Sequence, residues 1–293
     1  SCGPHQSGVQ SGGDLWTLGK SDFSGLGVSF VAPTDLEPRS GSGVSMNWIA
    51  ATGDEKLVVS FEVTLVTSNL AQWVADSITL DDNTVVTKQA EATSVLGRSG
   101  ASLWRPYSVQ KAGGKTLLVV VAVVPRDSVD KTGFGGVRIV GSSTAGSLES
   151  LKQRVLDLAA SVKFSSIQPQ TQVRNYLAVG EWSFTGPVNT SGASSDIGKQ
   201  MVWLCTGKMA YKQVGFSSNT VLDAADSKLL TGTWEAYDGV GQPVLYIKID
   251  GDSVTKLFPI SLQTDSRAFT WGSKQFLGTD RGCELGLPQY LAN

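Results

Sequence analysis

The stretch Val244-Leu-Tyr-Ile-Lys-Ile-Asp-Gly-Asp-Ser-Val-Thr-Lys-Leu-Phe258 decides how the second half of the chain reads. Two runs rich in β-branched and aromatic residues, Val244–Ile249 and Ser253–Phe258, flank Asp250-Gly251. Asp-Gly tolerates the positive φ angles that a tight hairpin turn requires, so the runs pair as antiparallel strands. Outward from this hairpin the pattern repeats. Further strand candidates are Gly180–Phe184, Gln200–Cys205, Lys208–Lys212, Thr231–Ala236, Ile260–Gln263, Ala268–Trp271 and Gln275–Leu277. Turn signals separate them at Thr206-Gly207, Asp238-Gly239 and Gly272-Ser273. Many short strands joined by short turns form a meander that must close or stack to hide its edges. Residues 176–293 are therefore expected to be all-β, closed as a small barrel.

The first half has a different rhythm. Residues 15–164 read as α+β: strands at Val28–Val31, Ser45–Ala50, Leu57–Val66, Ser102–Val109, Thr116–Val124 and Val137–Val140 build an antiparallel sheet. The apolar run Leu117–Val124 is too short to span a bilayer, which needs about 20 residues in a helix, and its β-branched content marks a buried strand. Two helices are expected on the sheet. Leu70, Trp73, Val74 and Ile78 fall at helical spacing after Ser68, a candidate N-cap. Leu148, Leu151, Val155, Leu158 and Val162 form one apolar stripe, with Ser147 as cap and Glu149 in the first turn. Residues 165–175, polar and broken by Pro169, read as a linker. Residues 1–14, rich in Gly and Ser, read as a flexible tether. The length of 293 residues suits two domains or one large β domain.

Composition narrows the function. The net charge is −2 with no basic run, which argues against nucleic-acid binding because phosphate contacts need clustered Lys and Arg. His5 is the only histidine, so a Ser-His-Asp or Cys-His site in the folded regions and a multi-histidine metal centre are both excluded. Gly113-Gly-Lys-Thr116 lacks the upstream glycine of a phosphate-binding loop and precedes a strand, so it reads as a hairpin turn. Gly133-Phe-Gly-Gly-Val-Arg138 has Arg138 where a dinucleotide fingerprint needs glycine. The carboxylates Asp81-Asp82, Asp223/Asp226 and Asp250/Asp252 sit in turn or cap contexts. No cofactor, no metal and no enzymatic activity are expected.

The chain has three cysteines. Cys205 and Cys283 lie in folded-looking regions and are candidates for a disulfide, two separate buried thiols being the alternative. Disulfides persist outside the cytosol. Cys2 is the one left over. Bacterial lipoproteins carry lipid on a cysteine exposed when the leader is cut, and Cys2 ahead of a polar tail fits that pattern. The expectation is an exported protein of the bacterial cell envelope, held to a membrane through Cys2.

Two resemblances add to this. Val28-Ser-Phe-Val-Ala-Pro33, the segment Leu70–Ile78, Gly97-Arg-Ser-Gly100, the strand Thr116–Val124 and the closing Ser161-Val-Lys-Phe164 resemble the PsbP/DcrB-like family of α/β/α domains. That resemblance implies a non-enzymatic role in assembly or binding, as in photosystem accessory proteins, envelope lipoproteins and chaperones of secreted effectors. Gly180-Glu-Trp182 and Gly232-Thr-Trp234, each a G-x-W opening a strand, resemble lipocalin-type and avidin-type barrels. Lipocalins have one such strand and this chain has two. The resemblance implies a small apolar or sugar-like ligand, with Trp182, Trp203, Trp234 and Trp271 as candidate contacts. The leading expectation is thus a non-enzymatic envelope lipoprotein that binds or assembles a protein partner. A ligand carrier and a secretion-system accessory factor are the alternatives.

Overall fold

The computed structural model describes residues 20–98, 101–126, 133–187, 197–217, 220–221, 229–251 and 255–283. The chain divides into two compact units, residues 20–168 with 239–241, and the remainder of the described residues from Pro169 onward.

The first unit contains β1 (Val28–Ser29), β2 (Glu37–Ser42), β3 (Ser45–Ile49), β4 (Glu55–Glu62), α1 (Leu70–Trp73), β5 (Ser77–Thr79), β6 (Val85–Lys88) and β7 (Thr93–Ser94). It continues with β8 (Leu103–Gln110), β9 (Thr116–Pro125), β10 (Gly136–Ser143), α2 (Leu148–Ser161) and β11 (Lys163–Phe164). One antiparallel sheet runs β2-β3-β4-β10-β9-β8-β6-β5, with β7 added beside β8, while β1 pairs β11 apart from it. The valine-rich β9 sits inside the sheet between β8 and β10, buried on both faces as its run of apolar residues dictates.

Helix α2 forms where the apolar stripe placed it. Ser147 Oγ accepts the Ser150 N–H at 3.1 Å, Glu149 lies in the first turn, and Leu151, Val155, Leu158 and Ala159 are buried. Gly141 of β10 lets the helix come close: a Cβ there would lie 2.6 Å from Val155 Cγ2. The other expected helix does not form. Only α1, four residues long, is helical, and Ile78 pairs with Val86 in β5–β6. The backbone leaves the helical region at Val74, φ −124° and ψ 47°, and Arg105 on β8 meets the chain there. Its guanidinium takes the Val74 carbonyl at 2.8 Å and Asp76 Oδ1 at 2.8 Å. Arg105 thus holds the exit from α1, and the chain continues into strand β5.

The α+β assignment is corrected by this count. Of the described residues 51% are strand and 16% helix, and one full-length helix on a broad sheet does not make a helix-packed layer. Strands β2, β5, β6 and β7 stand where no strand was expected.

The second unit contains α3 (Thr171–Leu177), β12 (Gly180–Pro187), β13 (Ile197–Cys205), β14 (Lys208–Ser217), β15 (Thr220–Val221), β16 (Leu230–Asp238), β17 (Pro243–Ile249), β18 (Thr255–Gln263), β19 (Ala268–Trp271) and β20 (Lys274–Gly278). Eight of these strands form a closed antiparallel barrel. Each pairs with the next along the chain, apart from the short β15, which hangs on β14 alone. Closure comes from β20 on β12, where Trp182 faces Gly278 and Ser183 faces Leu277. Strands β17 and β18 pair antiparallel on either side of Asp250-Gly251, the pairing running out to Lys248–Thr255, and Gly251 takes a positive φ of 69° while Asp250 does not.

The segment read as a linker is partly structural. Thr171–Leu177 is helix α3, and its Val173 and Leu177 are fully buried in the barrel core. Tyr176 Oη donates to the carbonyls of Gln263 and Ala268, at 3.2 and 2.8 Å, beside the turn from β18 to β19. Helix α3 therefore stops one end of the barrel, its base.

Candidate functional site

Side chains alternate along a strand, so parity fixes which residues enter the barrel. Near the base the inward positions carry Trp182, Leu204, Trp234, Leu245, Leu262 and Phe269, all buried in one cluster. Polar ends of these rings are satisfied at the base. Trp182 Nε1 donates to the Leu177 carbonyl at 3.0 Å, and Trp234 Nε1 donates to the Cys205 carbonyl at 2.7 Å. Both G-x-W tryptophans thus fill the barrel floor. Gly180 has its own reason: its φ is +124° and a Cβ would lie 2.3 Å from the Arg281 carbonyl oxygen.

Toward the opposite end the filling stops. A cavity of about 600 Å³ opens there, lined by Met209, Tyr211, Ile247, Phe258, Trp271 and Phe276 among others. That volume falls in the range of about 300–1,000 Å³ that holds one small ligand. Its aromatic wall is continuous: Phe258 and Trp271 have ring centroids 4.2 Å apart, and Phe276 lies 6.2 Å from Trp271 and stacks on Phe269 at 5.2 Å. Burial pushes the Tyr211 pKa up, so the hydroxyl stays neutral at ordinary pH.

Besides the Tyr211 hydroxyl, the polar side chains of the described lining are Gln200, Lys256, Ser273 and Lys274. Lys256 shares parity with the inward Phe258 and Ile260 of β18, and Lys274 shares parity with Phe276 of β20. Lys274 Nζ donates to Gln200 Oε1 at 3.0 Å and stands 5.5 Å from the Phe184 ring centroid. Gln200 is itself buried. A small second concavity of about 230 Å³ lies in the first unit, lined by charged side chains that include Lys56, Asp81, Asp82, Lys111 and Arg138. Among the described residues no cluster of three His, Cys, Asp or Glu residues suits a metal ion.

Of the four tryptophans expected at a ligand site, Trp271 alone lines the cavity. Trp182 and Trp234 lie below it in the floor, and Trp203 has outward parity, with its Nε1 on Glu181 Oε2 at 3.0 Å. The sequence-based reading missed Tyr211, Phe258, Phe276 and both lysines. Their signal was present: a lysine two residues before an inward phenylalanine, next to a hairpin turn, occurs in Lys256-Leu-Phe258 and in Lys274-Gln-Phe276. Cys205 and Cys283 are bonded, with Cα atoms 5.7 Å apart. Cys2 lies outside the described residues.

No protein-family model matches the chain and no curated protein matches it. The PsbP/DcrB-like assignment of residues 15–164 is left without support, and for residues 176–293 the likeness to lipocalin-type barrels goes as far as the architecture, a closed eight-stranded antiparallel barrel.

Proposed function

We propose that this is a non-enzymatic binding protein whose C-terminal barrel carries one small ligand with an apolar body. The observation that supports this is the half-filled barrel: a base packed with tryptophan and leucine, and above it a cavity of about 600 Å³ walled by aromatic and aliphatic side chains. A sugar would need hydrogen-bonding groups across its surface, and the mainly apolar lining favours a hydrocarbon or aromatic body instead. The concavity of the first unit is smaller and ringed by charge, which makes it the weaker candidate. The Cys205–Cys283 bond supports an oxidising compartment, in keeping with export from the cytosol.

Nile red, a neutral apolar dye, tests the reading. The full chain is expected to bind it saturably at one site per molecule. Leu230→Trp, which places bulk in the lining, is expected to weaken that binding by about tenfold or more, with the circular dichroism spectrum retained. Non-saturable binding, or a Leu230→Trp variant that binds like the parent, overturns the proposal.

A further inference from the structure

Inward positions of a small barrel are ordinarily apolar, because a lysine turned into the wall sacrifices hydration of its ammonium. This barrel places two lysines at inward parity, Lys256 on β18 and Lys274 on β20, and both line the cavity. Both stand at the end remote from α3, beside the turns that follow β17 and β19. Their long aliphatic stems can lie along the wall while the ammonium groups remain near the rim. Among the described residues that line the cavity there is no carboxylate. Lys274 meets neutral groups there, donating to the Gln200 amide oxygen and facing the Phe184 ring. The cavity thus has an apolar, aromatic floor and two lysines at its rim, and the described residues of its lining include no opposing carboxylate.

We infer that the ligand is an amphipathic anion: a single apolar chain or ring system lying on Phe258, Trp271 and Phe276, with a carboxylate or similar acidic head held by Lys256 and Lys274. The inference rests on the ligand-carrier reading above. It follows from charge complementarity at the cavity mouth, where Lys274 is half-buried and Lys256 exposed, since an ammonium–carboxylate hydrogen bond is about twice as strong as a neutral one. A neutral ligand of the same shape would bury the floor equally well and leave both lysines without that gain.

Dodecanoate, dodecanol and dodecylammonium share one chain and differ in head charge. Each is titrated below its micelle concentration against the full chain, with displacement of Nile red as the readout. Dodecanoate is expected to bind about tenfold tighter than dodecanol, and dodecylammonium more weakly than either. The dodecanoate affinity should fall as sodium chloride is raised. In the Lys256→Gln/Lys274→Gln double variant the gap between dodecanoate and dodecanol should close. Equal displacement by all three compounds, or an unchanged gap in the double variant, overturns the inference while leaving the carrier reading standing. Failure of Nile red and of all three compounds to bind overturns both.

Discussion

Glu62, at the end of β4, shows how a single side chain can set a pH dependence. Burial raises its pKa above the ordinary 4.5, with Arg138 acting in the opposite sense and Asp81 reinforcing burial. The folded state therefore holds the proton more tightly than the unfolded chain. The stability contribution is fully present below the unfolded value and is lost as pH rises through the folded one. Glu62→Gln is expected to raise the urea midpoint at neutral pH and to leave it unchanged near pH 3, measured by paired denaturation curves; a variant less stable at neutral pH would refute the assignment. Asp35 and Asp76 work the other way, since hydrogen bonds from Arg154, and from Lys88 and Arg105, hold their carboxyls below the usual range. Their contributions are present above about pH 4 and fade on acidification. None of this was legible beforehand, because burial of Glu62 depends on neighbours from β10 that are distant in sequence.

Two elements departed from their sequence signals for opposite reasons. The segment after Ser68 has helical spacing but stops after one turn, its exit held from β8 by Arg105 on the Val74 carbonyl and by Tyr107 Oη on the Ala75 carbonyl. Arg105 is buried and reaches the Ala90 carbonyl at 2.8 Å and Glu91 Oε2 at 3.1 Å as well as Val74 and Asp76. One planar guanidinium thus pins both ends of the β5–β6 region onto β8, a geometry that lysine cannot reproduce. Arg105→Lys is expected to cost about 2–3 kcal/mol through the carbonyls it leaves unpaired. Amide exchange should quicken across residues 74–91 and stay unchanged in the barrel; uniform exchange rates would show that the clamp holds nothing. Helix α3 is the converse. Thr171–Leu177 is too short to be stable alone, and Val173 and Leu177 gain their helix by docking into the barrel base.

At the scale of the molecule, the barrel's closing seam is where the disulfide acts. Strand β20 meets β12 over the pairs Trp182–Gly278 and Ser183–Leu277. The Glu181 N–H on the Arg281 carbonyl at 2.8 Å and the Thr279 N–H on the Glu181 carbonyl at 3.0 Å extend this edge. Cys283, just beyond, is bonded to Cys205 at the end of β13, on the far side of β12. The bridge therefore ties the chain end across the seam. It closes a loop with a sequence separation of 78, for which the loop-entropy account gives about 4 kcal/mol. The double variant Cys205→Ser/Cys283→Ser should lose about that much in urea titration, and reducing the parent protein should reproduce the loss. Matching midpoints before and after reduction would show that the strand pairing alone holds the seam.

The sequence by itself determined the features that depend on near neighbours. The turn at Gly272-Ser273, the antiparallel pairing of the strands on either side of Asp250-Gly251, the parity of Phe258 and Phe276, the cap and stripe of α2 and the buried β9 follow from local rules of turn geometry and side-chain alternation. The many strands with no helix to cover them also pointed to closure, and the barrel is closed. Tertiary structure alone decided where the barrel is filled and where it is open. Parity says that a residue faces inward but not how deep it sits, because depth depends on the stagger between strands around the whole circuit. Stagger and the docking of α3 put Trp182 and Trp234 in the floor and left Trp271, Lys256 and Lys274 around the cavity, where the ligand chemistry is set.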